Sequence, residues 1–441
     1  MNMTERLSQW LKLELGIAQP DNRVLMDEIA MMLPLAVHSY PSGMEHNGWI
    51  VPKSWIVHRA QIRKDGRLMF DGKAHYMAVA GHSCSFSGTV DKEELDRHVF
   101  YRTEHPDAYV YHNIYSLRPW ETGWGFCIPY AQYSEWPTGC YEIDLQTERR
   151  DGEMFVGTVL HQGRSTETLV FNAHTCHPCQ ANDDLVGVLA IIELFQRLAH
   201  RETKYSYLGV FAPEILGTVF YTASLSCEAL NACKAGVFAE MPGTRGVLSL
   251  QASFQGTTGI DRIARHAVSC REPNAVYSAF RGLIGNDETV WEAPGVDVPM
   301  VSLQRPDYSE YHTNKDDERC VDFEHFREYC QVLQDIVDVY EEDYIPLRAF
   351  KGLLCLSNPK YGLYHERKKA FERGKTYGEQ AKRFGVLQNV LPQLMDGRHT
   401  VFDIAEKAGV SFQDAKQYID KFLGLSLAHR HEVEGMGHYS R

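Results

Sequence analysis

The feature that most constrains the fold is a series of apolar segments from residue 166 to 304 that predict strands and helices in alternation. TETLVFNAH, YSYLGVFAPE, KAGVFAEMP and VPMVSLQ are short and rich in Val, Leu and Phe, as buried strands are. DLVGVLAIIELFQRLAH and GTVFYTASLSCEAL are longer and predict helices. Strands that alternate with helices predict an α/β fold with a mostly parallel central sheet and helices on both faces.

Two further regions differ from this pattern. Residues 46–130 alternate, are rich in Val, Ile, Trp and Tyr, and carry Asp-Gly turns at 65–66 and 71–72, which predicts a small inserted β-rich domain. Residues 1–45, mostly helical, and 131–355 then form the α/β domain. Residues 356–441 include VFDIAEKAGVSFQDAKQYIDKFL, whose helix, Gly-containing turn and helix predict a winged-helix-like domain.

Charge and composition exclude several partners. The net charge is −13, and residues 379–430 hold seven Lys and Arg against six Asp and Glu, so no basic surface for nucleic acid is expected. The C-terminal domain is therefore expected to bind a protein partner or a second copy. No apolar run approaches the roughly 20 residues that cross a bilayer, and no membrane contact is expected. Eleven scattered cysteines and a start that is unlike a secretory signal predict a reducing cytoplasm.

Side chains that can bind a metal follow the predicted strands. They are His174, Asp183, Glu214, Glu240 and His312. Because the carboxyl ends of parallel strands meet at one edge of a sheet, these side chains are expected to converge. Imidazole and carboxylate groups are ordinary zinc ligands, so the pattern predicts a metal site. Asp184, next to Asp183, is also a candidate cap for the helix that follows.

The motifs HTCHP and NDDLVG, the strand-end glutamates and the later YHT resemble the co-catalytic zinc aminopeptidases, whose fold also serves glutaminyl cyclases. The resemblance implies two zinc ions. His174 and Glu240 would hold one ion, Glu214 and His312 the other, and Asp183 would bridge them. Over nearly the whole chain, WGFC, RGLIGNDE and NPKYGLY are similar to bacterial aminopeptidase-like proteins with an inserted β-domain and a C-terminal winged helix, often encoded near biosynthetic genes.

The chain departs from the family pattern at two positions. Pro213 stands where the aminopeptidases have the glutamate that acts as general base, so Glu214, Asp287 and Glu288 are the candidates for that role. Asp287 and Glu288 could instead cap a helix. Cys176 stands where the family has an aspartate that supports the first histidine.

The HTCHP segment leaves two alternatives open. His177 could bind the metal in place of His174. Cys176 and Cys179 could also form a mononuclear zinc knot or a redox loop, although no second Cys-x-x-Cys supports a zinc ribbon.

Together the residues and the resemblance predict a metal-dependent hydrolase. It would cleave an amide bond of a small aminoacyl or peptide-like substrate through a di-zinc site and a bridging water, in a biosynthetic pathway. The alternative is a non-catalytic metal- or ligand-binding scaffold that joins a protein complex through its winged helix.

Overall fold

A computed structural model of the protein describes residues 3–114, 117–364 and 379–440. Residues 365–378 of the predicted C-terminal domain lie outside these ranges. The α-helices are α1 (Met3–Trp10), α2 (Pro20–Ala30), α3 (Lys92–Asp96), α4 (Tyr130–Tyr133), α5 (Val186–Leu198), α6 (Leu216–Ser224), α7 (Cys227–Ala232), α8 (Gly259–Arg271), α9 (Glu288–Trp291), α10 (Phe323–Glu342), α11 (Glu379–Leu394), α12 (Val401–Ala408) and α13 (Phe412–Gly424). Within the described ranges, no helix is both long and apolar enough to cross a membrane.

The strands form one large sheet and several small ones. They are β1 (Ala36–Pro41), β2 (Glu45–His46), β3 (Trp49–Ile50), β4 (Ser54–Lys64), β5 (Arg67–Asp71), β6 (Phe86–Asp91), β7 (Val99–Phe100), β8 (Phe126–Cys127), β9 (Cys140–Arg150), β10 (Glu153–His161), β11 (Thr168–His174), β12 (Ser206–Ala212), β13 (Cys233–Ala239), β14 (Ser249–Gln251), β15 (Val276–Ser278), β16 (Met300–Gln304), β17 (Tyr344–Arg348) and β18 (Ala428–Glu432). The chain divides into two compact units, Met1–Gly256 with Val276–Cys330, and Thr257–Ala275 with Gln331–Arg441.

The large sheet belongs to the first unit and has the order β1-β10-β12-β11-β13-β16-β14-β15. Its centre, β12-β11-β13-β16, is parallel, as is the β14–β15 pair, whereas β1–β10, β10–β12 and β14–β16 are antiparallel. The predicted α/β class is confirmed, and the parallel pairing is concentrated at the centre. Every residue of β11 and β12 is buried, which explains their uninterrupted apolar sequences.

Helix α5 packs against this parallel centre, on β11, β12 and β13. Ten of its thirteen residues are buried, so it is an interior helix rather than a surface one. Residues 175–185 connect the end of β11 to the start of α5, so a buried strand and a buried helix hold the two ends of this connection.

A second sheet, β5-β4-β9-β6, also lies in the first unit. In β9, Tyr141, Ile143 and Leu145 are buried and alternate with more exposed residues, so one face of the strand joins the core of this sheet. The sheet therefore extends past the predicted boundary at residue 130.

The second unit contains the predicted helix-turn-helix. Thr400 and Asp403 form a capping box at the start of α12, and Ser411 caps α13. Gly409 ends α12 with a φ of 65°, a conformation that glycine adopts without strain. Strands β17 and β18 pair antiparallel in the same unit. The winged-helix assignment stays a prediction.

Asp343 in the second unit is expected to make stability depend on pH. Its Oδ1 accepts hydrogen bonds from the amides of Tyr344 and Phe402 at 2.9 and 3.0 Å, and burial raises its pKa to about 7. A raised pKa means that the folded state holds a proton that the unfolded state has released. This contribution to stability is complete below the unfolded pKa near 4 and is lost as the pH rises toward 7.

Asp343→Asn keeps the accepting oxygen but removes the titration. We expect the free energy of unfolding of the variant, relative to the native chain, to rise by up to about 1.4 kcal/mol per pH unit between pH 4 and 7. Urea unfolding at four pH values measures this difference. A difference in the free energy of unfolding that is constant across that range would contradict a raised pKa at Asp343.

Candidate metal centre

Asp183 lies in a turn, Ala181–Leu185, between the HTCHP loop and α5, and the backbone angles of Asp183 and Asp184 within it are not helical. The side chain of Asp183 is only 3% exposed. Asp316 holds this turn, since its carboxylate accepts hydrogen bonds from the backbone amides of Asn182 and Asp183 at 2.8 and 3.2 Å. The hydroxyl of Tyr308 donates to Asp316 at 2.9 Å. Burial raises the pKa of Asp316 to about 7. The hydrogen bonds from the turn to Asp316 fix the position of the Asp183 carboxylate.

Three imidazoles surround the Asp183 carboxylate. Nε2 of His174 lies 2.9 Å from Oδ1, while Nε2 of His177 and Nε2 of His312 lie 3.2 and 3.3 Å from Oδ2. The ligand atoms of His174, Asp183 and Glu240 all lie within 4.8 Å of one another, and so do those of His177, Asp183 and His312. Asp183 is the member that the two groups share, which is the position of a bridging ligand.

A buried polar atom without a partner supports a metal at this place. Oε2 of Glu240 is buried and, among the described residues, has no hydrogen-bond partner. The other carboxylate oxygen of Glu240 accepts from Nδ2 of Asn286 at 2.8 Å. A buried polar atom that no protein group satisfies needs an explanation, and a divalent ion held by imidazole and carboxylate supplies one. The residues present therefore fit such ions.

The protonation of these groups follows from burial and from their neighbours. Burial alone would raise the pKa of Asp183, but hydrogen bonds from the three histidines hold it well below its usual range. Burial raises the pKa of Glu240 well above its usual range. Burial alone would lower the pKa of His174, yet Cys176 and Asp183 raise it well above its usual range. A metal ion would take the place of the protons on Glu240 and His174.

Glu214, the fifth predicted ligand, belongs to neither group of the described residues. Its Oε2 lies 3.6 Å from Sγ of Cys176, which lies 3.4 Å from Nδ1 of His174. Glu214 is therefore close to the centre but separated from it by a thiol. The place that the resemblance gave to Glu214, beside Asp183 and His312, is taken by His177.

From the sequence, His177 was expected to bind a metal only in place of His174, whereas the structure brings both histidines to Asp183. The signal was present in HTCHP, where two histidines stand three residues apart in one loop. The rival interpretation of this segment required Cys176 and Cys179 to act together. In the structure Cys179 bonds instead to the hydroxyl of Tyr76 at 3.2 Å.

The other two candidate bases, Asp287 and Glu288, are buried and bonded to protein groups. Asp287 accepts from the amide of Ile215 at 2.5 Å and from the side chain of Asn172 at 3.2 Å. Glu288 accepts from Gln251 at 2.9 Å. Burial raises the pKa of Asp287 to about 7. Asp287 therefore holds the backbone next to Glu214, whereas Glu288 accepts from the backbone amide of Asn286 at 2.9 and 3.0 Å. The side chain of Asp287 makes no cap hydrogen bond to α9.

Asp184 does not cap α5, contrary to one sequence interpretation. Its carboxylate accepts from the backbone amides of His174 and Met241, at 3.3 and 3.0 Å. Both residues stand at or just past the ends of neighbouring strands, β11 and β13. Asp184 thereby ties the two strand ends that carry His174 and Glu240, and the peptide bond that joins it to Asp183 is cis.

The inserted segment covers the centre. The ring of Tyr111 stacks on His177 with centroids 4.5 Å apart and meets the ring of His312 edge-on at 5.3 Å. The backbone amide of Tyr111 donates to the carbonyl of His312 at 2.7 Å. Arg102 donates to the carbonyl of Tyr311 at 2.7 Å. His312 keeps 32% of its side chain exposed, whereas His177 keeps 2%, so His312 is the more accessible of these two candidate ligands.

Comparisons with known proteins agree with this architecture. Residues 7–343 match a family model described as "Domain of unknown function (DUF4910)". A Clostridium acetobutylicum protein, named for polysaccharide biosynthesis and an aminopeptidase-like domain, is 27% identical over 413 residues, which are 92% of this chain and 91% of that protein.

Two solved structures are similar in fold. One, from Clostridium acetobutylicum and described as a peptidase, is 24% identical with a TM-score of 0.78, and the match covers 97% of this chain and 96% of that one. The zinc aminopeptidase of Bacillus subtilis is 14% identical with a TM-score of 0.57, and the match covers 76% of this chain and 92% of that one. The predicted aminopeptidase-like fold is confirmed.

Proposed function

This chain belongs to the DUF4910 family and has the fold of the zinc aminopeptidases, and from that premise we propose that it is a hydrolase that uses two divalent metal ions, zinc in the first instance, to cleave an amide bond. One observation carries the proposal. Asp183 stands between two groups of ligand atoms, with His174 and Glu240 on one side and His177 and His312 on the other. A single carboxylate shared in this way is what a two-metal site requires.

When bound, the ions would supply Lewis acidity to the amide carbonyl and to water. The residues of the chain do the rest. Glu214 is half-buried, lies beside the centre and is free of the ligand groups, so it can take a proton from water and deliver it to the leaving nitrogen. Its place is set by Asp287, which holds the amide of the next residue, Ile215. His177 supplies the metal ligand that the resemblance assigned to Glu214. Glu214 is therefore available as the general base, although Pro213 occupies the position of the family's base.

The substrate is proposed to be a small aminoacyl or peptide-like amide. Tyr111 and the Tyr311 loop cover the centre and leave His312 as the accessible ligand, which excludes a folded protein. The name of the Clostridium acetobutylicum relative supports a role in a biosynthetic pathway for this chain. The C-terminal helix-turn-helix is proposed to bind a protein partner or a second copy.

The test combines metal content with hydrolysis. We expect the chain to hydrolyse members of a panel of aminoacyl amides, to lose this activity with 1,10-phenanthroline and to regain it with zinc. His177→Gln should carry one ion instead of two and lose most of the activity, whereas His58→Gln, at an exposed histidine that pairs with Glu148, should change neither. Two bound ions without hydrolysis of any amide would favour the non-catalytic scaffold instead.

A further inference from the structure

A cavity of about 420 Å³ adjoins the candidate metal centre on the side of the inserted segment. This volume is within the range of small-molecule sites, roughly 300–1,000 Å³. Cys176 lines the cavity, and its thiol contacts both Glu214 and His174. Tyr111 lines it as well and stacks on His177. Cys176 therefore separates a molecule bound in this cavity from Glu214, the proposed base, and from His174 of one ligand group. Tyr111 separates it from His177 of the other ligand group.

Three histidines of the cavity wall have unused hydrogen-bonding capacity. Burial lowers the pKa values of His75, His82 and His112, so these imidazoles are neutral near pH 7. A neutral imidazole has one donor and one acceptor. Within the described ranges, the ring nitrogens of His82 and His112 make no hydrogen bond to protein, and His75 uses only Nδ1, which accepts from the amide of Met77 at 3.1 Å.

The remaining lining residues define the ligand further. Trp55 and Tyr76 provide aromatic faces, which attract the positive edge of a C–H-rich ring. Glu14, Asp21 and Lys73 bring two negative charges and one positive charge, so the cavity does not favour an anionic ligand such as a phosphate. A hydroxyl group both donates and accepts, and is the complement of a neutral imidazole. An apolar ring would leave the imidazoles without partners.

From this combination we propose that the cavity binds an uncharged hydroxylated ring, the sugar part of a sugar amide whose amide bond reaches the metal centre. The proposal rests on the proposed function for the cleavage step and on the cavity for the sugar. It narrows the substrate class to amides of an amino sugar. The free amino sugar would be one product, and the acid released from the amide would be the other.

Binding separates this proposal from the catalytic one. Calorimetric titration of the zinc-loaded full chain would use N-acetyl-D-glucosamine and its hydroxyl-free counterpart N-cyclohexylacetamide as probes. We expect the sugar to bind at least about tenfold more tightly, the difference made by about 1.4 kcal/mol of hydrogen bonding. His112→Phe removes two ring nitrogens, keeps the stack on Phe100, and should weaken sugar binding about tenfold without affecting the cyclohexyl probe.

Trp55→Leu is the second variant and should weaken sugar binding by a similar factor. His58→Phe, on the same strand but outside the cavity wall, is the matched control and should bind the sugar as the native chain does. Equal affinity for both probes, or sugar binding that neither cavity variant changes, would overturn the proposal. Sugar binding without hydrolysis of any amide would leave the cavity assignment intact and count against the proposed function alone.

Discussion

Asp183→Ala is expected to remove both metal ions and to lower kcat/KM by on the order of 10³-fold or more. The reason is that Asp183 is the member shared by the two ligand groups, so its loss opens both. A metal ion contributes several kcal/mol to the stabilisation of the transition state, and about 4 kcal/mol corresponds to a 10³-fold change in rate. Metal content and turnover of the best amide in the panel are the two measurements.

Asp151→Ala is the matched control for this variant, because it removes an exposed carboxylate that pairs with Lys53 on the surface. It should keep both ions and full activity. Asp183→Ala with native turnover would exclude the metal-dependent mechanism. A variant that keeps one ion firmly bound would show that Asp183 serves one group and does not bridge.

Glu214→Gln is expected to keep both ions and to lose about 10²–10⁴-fold in kcat, the usual contribution of a general base. The effect should fall on kcat more than on KM, because Glu214 stands beside the ligand groups and not within them. The amide retains the shape of the side chain but cannot take a proton. Metal analysis and steady-state kinetics on the same preparation measure both quantities.

Glu240→Gln gives the contrast. Its carboxylate is buried with His174 and Asp183, so the substitution should lower metal content as well as activity. If Glu214→Gln also loses an ion, Glu214 is a ligand as the resemblance implied, and the base has to be sought elsewhere. Full activity in Glu214→Gln would contradict its role as base.

The placement of candidate ligands at one edge of the sheet was predictable, because apolar strands are easy to recognise and the carboxyl ends of parallel strands lie together. His174 ends one such strand and Glu240 follows another, and in the structure their ligand atoms and that of Asp183 lie within 4.8 Å of one another. His177 was not predictable with the same security. Its position depends on the path of a loop in which Cys179 adopts a φ of 51°, and no periodic pattern encodes such a path.

The hydrogen bonds that hold the site residues in place could not be predicted from the sequence either. Asp316 binds the turn that carries Asp183 across more than 130 residues, and Asp287 reaches the amide of Ile215 across 72. Taken alone, Asp316 looks like an ordinary loop carboxylate. The extent of the inserted sheet was missed for a related reason, since β9 follows a stretch without strands and its partners, β4 and β6, lie far before it.

The number of metal ions per chain tests the central claim most directly. It is measured by inductively coupled plasma mass spectrometry on protein that was purified without chelator or nickel resin and dialysed against zinc. The arrangement around Asp183 predicts two ions per chain. No bound ion after dialysis would contradict the metal centre itself, and a single ion would contradict the bridged pair.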